Sequence, residues 1–239
     1  CGYSAMCTIA WRNIRRRSLN VKRFSMRVVV YGTEKLHPSV ASSYDNIGDV
    51  YLSMGKPLQA LSKYKKVLDM NLAVHGTEKP HPSVAISYHN FGDVHNIMGK
   101  YSDALSEHKN FLDMRLAVYG TKMPNLDAAT SYNNIGDVYK SMGKHLEALS
   151  EFKESLDVRL AVYGTEKPHP DVAASYNNIG GVHCGMRKYP EALSEHKKAH
   201  NVCSDCNVHD DATQCKARIG FIVLRMEKTK KRTNGQGDA

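Results

Sequence analysis

Two hydrophobic stripes of helical period follow one another early in the chain. Val40, Tyr44, Ile47 and Tyr51 fall at i, i+4, i+7 and i+11, and Ala60, Leu61, Tyr64, Val67, Leu68 and Leu72 continue after a polar break. Gly55, in "SMGK", sits where a helix end needs the left-handed conformation, and Gly76 closes the second stripe before the polar "TEKPHP". Pro82 and Pro170 stand where a first helical turn tolerates a missing N–H. The pattern predicts helix, tight turn, longer helix and loop.

That unit recurs. "YGTEKLHPSVASSYDNIGDVY" returns as "HGTEKPHPSVAISYHNFGDVH", "YGTKMPNLDAATSYNNIGDVY" and "YGTEKPHPDVAASYNNIGGVH", with the opening glycines Gly32, Gly76, Gly120 and Gly164 spaced 44 residues apart. Such regularity predicts stacked copies, each burying an apolar face that its neighbour cannot bury alone. The expected organisation is a basic, disordered stub at 1–17 and a half-repeat helix at 18–31, because "FSMRVVVYG" matches "LDMRLAVYG" at 112–120. Four repeats follow at 32–75, 76–119, 120–163 and 164–202, then a divergent segment at 203–229 and a disordered tail at 230–239. Cys215, Ile219, Ile222 and Met226 would make one capping helix in the divergent segment. Repeats 2 and 4 share His95/His183 and His108/His196 where repeats 1 and 3 carry aromatic rings, which points to duplication of a pair.

The residues where the two helices would cross carry a family resemblance. Tyr44-x2-Ile47-Gly48-x2-Tyr51 with Ala60-x3-Tyr64 is similar to the tetratricopeptide signature, and the copies agree: Tyr88, Phe91, Gly92 and His95 with Ala104 and His108; Tyr132, Ile135, Gly136 and Tyr139 with Ala148 and Phe152; Tyr176, Ile179, Gly180 and His183 with Ala192 and His196. The resemblance implies an all-α, right-handed superhelical solenoid of helix-turn-helix repeats. Glycine and alanine at the crossing would let the helices approach closely, so Gly136→Leu is expected to overpack it at about 1–3 kcal/mol. The 44-residue unit exceeds the usual ~34, and with "LDMRLAVYG" and "HPDVAASYNNIG" it resembles the kinesin light chain type of repeat.

Composition narrows the functional classes. The net charge is +9, but residues 1–31 carry seven basic groups and no acid, and residues 203–239 seven basic and five acidic groups, which leaves nineteen of each in residues 32–202. A neutral array is not a nucleic-acid groove, and any polyanion contact would fall to Arg12, Arg15, Arg16 and Arg17, which otherwise form a solvated end. No run approaches the length of a membrane span; Gly220 to Leu224 is far too short. The start, "CGYSAMCTIAW", reads as that of a fragment without an export signal, and residues 8–183 hold no cysteine, which together point to a reducing, cytoplasmic setting. "SMGK" and "GTEK" lack phosphate-loop spacing, and Ser194 and His196 would point to different helix faces. The expectation is a protein that is not an enzyme and needs no cofactor.

Binding residues follow from angle. The face of each first helix away from the core stripe carries Ser42, Asp45, Asp49 and Leu52, then Ile86, His89, Asp93 and Asn96, then Thr130, Asn133, Asp137 and Lys140, then Ala174, Asn177, Gly181 and Cys184. Beside it run Asn46, Asn90, Asn134 and Asn178. A carboxamide donates to a peptide carbonyl and accepts from its N–H, so these would hold an extended peptide or partner helix. Asp45, Asp49, Asp93 and Asp137 would favour a basic one. The alternatives are asparagines that bridge to the neighbouring helix and carboxylates that are merely solvated. If the kinesin light chain resemblance extends to role, it implies a cargo adaptor with motor and cargo partners, associated with the cytoskeleton. That family reads tryptophan-acidic motifs through basic residues, whereas only Lys140 is basic on this face. A second reading is the sensor arm of a larger nucleotide-switch ATPase. For metals, His95 with His108 and His183 with His196 are expected as packed rings, metal binding there being the alternative. Cys203-x2-Cys206-x2-His209-x5-Cys215 is a zinc alternative of suitable ligand type but irregular spacing.

Overall fold

Proline and glycine set the helix limits in the structure, a computed structural model. It describes residues 38–76, 79–120, 125–165, 168–206 and 208–234. The described elements are helices without strands: α1 (Pro38–Ser53), α2 (Pro57–His75), α3 (Pro82–Ile97), α4 (Tyr101–Tyr119), α5 (Leu126–Ser141), α6 (His145–Tyr163), α7 (Pro170–Gly185), α8 (Tyr189–Asp205) and α9 (His209–Asn234). The expected stub at 1–17 and half-repeat at 18–31 lie outside the described residues.

Histidine takes an unusual part in starting these helices. The His81 and His169 rings accept the backbone N–H of Ser83 and Asp171 at 3.2 Å each, and Asn125 does the same for Asp127 at 2.8 Å. A neutral imidazole nitrogen thus replaces the usual capping oxygen. Each histidine also stacks on the last ring of the preceding helix, His81 on His75 at 3.3 Å and His169 on Tyr163 at 3.5 Å between centroids. The "HP" pair therefore caps one helix and fastens it to the one before.

At the tight turns Gly55, Gly99 and Gly143 have φ of +68°, +72° and +72°, but repeat 4 places Arg187 there at φ +59°. A side chain in this left-handed region costs about 1–2 kcal/mol. Arg187→Gly is expected to recover about 1 kcal/mol, read as a rise in Tm of about 2–4 °C; an unchanged or lower Tm would contradict it.

The chain divides at Val118/Tyr119 into two units. In the first, Ala60, Tyr64 and Val94 form a buried cluster flanked by Tyr51, Leu61, Phe91 and Met98. In the second, Ala148, Phe152, Leu156, Val172, Ile179 and Val182 form the corresponding core. Successive pairs are also stitched by hydrogen bonds from one position of the second helix. Asn71 donates to the Ser83 carbonyl at 3.1 Å and Ser87 Oγ at 3.4 Å, and Arg159, 88 residues later, donates to the Asp171 carbonyl at 3.0 Å and Ser175 Oγ at 2.6 Å. These bonds satisfy buried serines at the start of the next repeat, as burial of a hydroxyl requires.

Helix α9 covers the last pair. Cys215 and Ile222 are buried, and Cys215 packs with Cys203, Ala173 and Ala199. The helix runs on to Asn234, into the stretch read from sequence as a disordered tail; the methionine, glutamate, lysines and arginines of residues 225–232 have ample helix propensity, and of the tail only 235–239 lie outside the described residues.

Candidate functional site

Each repeat lays a ring of its second helix on a glycine of its first: Tyr64 on Gly48, His108 on Gly92, Phe152 on Gly136 and His196 on Gly180. A Cβ at Gly136 would lie 2.8 Å from Phe152, and one at Gly180 would lie 2.9 Å from His196. With no side chain in the way, the ring's far edge passes through the crossing to the candidate binding face. Tyr64 Oη donates to Asp49 at 2.8 Å, His108 Nε2 stands 3.6 Å from Asp93, and His196 Nδ1 lies 2.9 Å from Asn177 Oδ1. Phe152 has no polar edge, and there Asp137 is held by Asn133 at 3.3 Å with Lys140 4.0 Å away. The packing glycine and the face residues are thus one arrangement, a link that separate treatment of core and face in the sequence does not reveal.

The asparagines reach backwards. Asn90 donates to Asp45 at 3.2 Å and Asn178 to Asn133 at 2.7 Å, each to the preceding first helix within its own unit. Asn46 donates to the Ser42 carbonyl of its own helix at 2.7 Å, and Asn134 is engaged as well. Asn90 and Asn178 thus use one donor in stacking repeats while their chemistry keeps an acceptor oxygen and a second hydrogen. Asn177 accepts from His196 and donates to Cys215 Sγ at 3.3 Å, so it ties α7 to both α8 and α9.

Burial tunes the charges. The half-buried Asp45 carboxyl is pushed up to about 6 by burial and by the neighbouring Asp49 charge, against the hydrogen bond from Asn90. Burial raises Asp137 too, opposed by Lys140 and Asn133. His108 is pushed down to about 4 by burial and by His89, and His196 to about 4 by burial and Arg218, with Glu195 opposing. At neutral pH Asp45 is ionised and both crossing histidines are neutral.

A cleft adjoins the face in each unit. A cleft of about 360 Å³ opens beside Asp45, lined also by Ser42, Met70, His81 and Ile86. In the second unit a cleft of about 470 Å³ is lined by Lys140, Asn177, Asn178, His196 and, from α9, Arg218 and Phe221. Helical period alone does not single out Arg218 and Phe221; their signal is the position next to the α9 stripe, three residues after Cys215 and one before Ile222.

Of the four histidines expected as packed rings, His108 and His196 are buried, and His95 and His183 are half-buried. His108 faces His89 and Asp93, while His95 lies 6.2 Å from the Phe91 ring. Of the zinc alternative, Cys203 and Cys215 pack in the apolar core with Ala173 and Ala199, and burial, with Cys215 adding, raises the Cys203 thiol above its ordinary value. Cys206 is half-buried, and the His209 side chain lies outside the described residues.

The family profile described as "Tetratricopeptide repeat" matches residues 39–117 and 127–205. The chain belongs to the tetratricopeptide repeat family. Its fold is the all-α repeat solenoid of that family, and the crossing glycines and rings occupy the family's small and aromatic positions. Among solved structures, the "Podosopora anserina putative kinesin light chain nearly identical TPR-like repeats" aligns at TM-score 0.63 and 15% identity over 85% of this chain and 97% of that one. A "Rap Protein Complexed with Competence and Sporulation Factor" aligns at TM-score 0.63 and 17% identity over 82% and 52%. A signal transduction ATPase with numerous domains, with a tetratricopeptide repeat sensor, from Pyrococcus horikoshii aligns at TM-score 0.66 and 16% identity over 90% and 32%. No curated protein sequence matches this chain. Among the described residues no helix is long and apolar enough to cross a membrane.

Proposed function

We propose that this tetratricopeptide repeat protein is a non-catalytic binding module that holds an extended peptide or a partner helix on the face of its first helices. The observation that carries this reading is the line of carboxylates held in place, Asp49 from beneath by Tyr64 at the crossing and Asp45 by Asn90 of the next first helix. Held in place before a ligand arrives, they lose little freedom on binding. The first unit's face, with Asp45, Asp49 and Asp93, selects a Lys/Arg-bearing partner, and the second unit's cleft, with Lys140 and Arg218, takes an acidic or carboxamide group. The 44-residue unit and the likeness to the kinesin light chain repeats support an adaptor role with motor or cargo partners in the cytoplasm. The likeness to the Pyrococcus horikoshii protein supports the second reading, a sensor arm of a nucleotide-switch protein. The zinc-module reading is disfavoured by the burial of Cys203 and Cys215.

Fluorescence anisotropy with extended lysine-rich, glutamate-rich and neutral peptides tests the charge preference on the full chain. The lysine-rich peptide is expected to bind about 10-fold more tightly than the glutamate-rich one at low salt, and Asp45→Asn with Asp49→Asn should remove most of that difference. Equal affinities, or tighter binding of the glutamate-rich peptide, would refute the charge assignment.

A further inference from the structure

Three positions that meet at every helix crossing carry a different set in each repeat: Asp45, Asp49 and Tyr64; His89, Asp93 and His108; Asn133, Asp137 and Phe152; Asn177, Gly181 and His196. The second set alone supplies two imidazoles and a carboxylate. The structure brings these three side chains together, with one ligand atom from each lying within 4.8 Å of the others. His89 Nε2 is 3.5 Å from Asp93 Oδ2, and His108 Nε2 is 3.6 Å from Asp93 Oδ1.

Those separations are long for hydrogen bonds. They match the spacing of donors around one ion: with metal–ligand bonds of about 2.0–2.1 Å, tetrahedral ligands stand about 3.4 Å apart. The contrast with repeat 4 sharpens this. His196 occupies the same place as His108 and is satisfied by Asn177 at 2.9 Å. His108, only 1% exposed, has in place of such a bond a 3.6 Å gap between Nε2 and Asp93. A buried imidazole normally finds a partner, and the residue that would supply one in repeat 4 is here replaced by a second imidazole.

We propose that His89, Asp93 and His108 form a binding site for a divalent transition-metal ion of the zinc class, set in the crossing of the second repeat. Two imidazoles and a carboxylate suit zinc rather than calcium or magnesium, which take all-oxygen sets. Gly92 lets the His108 ring reach the face, and the i, i+4 spacing of His89 and Asp93 places both on one side of α3. The side chains of His89 and Asp93 are 28% and 44% exposed, so ions can enter and the remaining coordination position opens to solvent on the binding face. Water fills that position, or a side chain of a bound partner does. Metal binding would replace the negative charge of Asp93 with a net positive one, which links the ion to the charge preference of the first unit.

The test is titration of the full chain, produced without a histidine tag, with zinc by calorimetry and with cobalt(II) by absorption. The expected result is a one-equivalent transition whose cobalt spectrum has d–d bands and no sulfur-to-metal charge transfer. It should vanish in His89→Asn and in His108→Phe, which install the residues repeat 3 already carries at Asn133 and Phe152, and it should persist in Cys206→Ser. Thermal melts matching the parent would show that both variants fold; if His108→Phe does not, His89→Asn at its half-exposed position decides alone. Absence of a transition in the parent chain, its survival in His89→Asn, or a sulfur charge-transfer band lost in Cys206→Ser would overturn the assignment. Because the readout is the ion itself, failure of the peptide experiment would leave this result standing, and the reverse.

Discussion

Gly136→Leu is expected to lower the stability of the second unit by about 3 kcal/mol, the upper end for overpacking a core. The position a first side-chain carbon would take is 2.8 Å from the Phe152 ring, itself fully buried among Ala148, Val172 and Ile179. Neither partner can retreat. The glycine lies mid-helix in α5, and Phe152 is held from the other side by α7. Urea unfolding should show a lower midpoint with an unchanged slope, since the surface exposed on unfolding is the same. Trimming the ring in the double variant Gly136→Leu, Phe152→Ala should return part of the loss, giving a coupling of more than about 1 kcal/mol. A single variant as stable as the parent, or a double variant whose losses simply add, would mean that the ring does not occupy the crossing.

Acid is expected to act through the crossing histidines. In the unfolded chain His196 takes up its proton near its ordinary value of 6.5, whereas in the folded protein it does so only at about 4. Between those values the unfolded chain binds more protons, so stability falls as pH is lowered from 6.5 towards 4 and levels off below. Burial is the main cause, with Arg218 adding to it, and Glu195 alone pulls the other way. A displacement of this size corresponds to a loss of about 3 kcal/mol over that window. His196→Phe, which copies Phe152 of repeat 3, should be flatter across pH 4–6.5. It forfeits the bond to Asn177 Oδ1, which costs about 1 kcal/mol at every pH. Equal slopes for parent and variant in urea unfolding at a series of pH values would contradict the neutral, buried state of His196.

Particular residues show what the sequence made legible. Gly48, Gly92, Gly136 and Gly180 could be recognised because repetition isolates positions that must stay small, and the stripes through Tyr64 and Phe152 follow from helical period alone. Asp45, Asp49, Asp93 and Asp137 were placed on one face by the same geometry. What stayed hidden depends on contacts between helices. That the Tyr64 hydroxyl holds Asp49, that Asn90 reaches back to Asp45, and that His108 meets His89 rather than His95 are facts of how α2, α3 and α4 pack, and no period along one helix encodes them. Arg187 was hidden for a different reason: turn chemistry predicts glycine in the left-handed conformation at this position, and in one repeat an arginine adopts it.

Mapping where a lysine-rich peptide sits on the full chain, by amide chemical-shift changes in isotope-labelled protein, tests the account most directly. It predicts the largest changes on α1 and α3, centred on Asp45, Asp49, His89 and Asp93. Changes confined to the outward sides of α2 and α4, with α1 and α3 unmoved, would show that the first-helix face is not the binding surface.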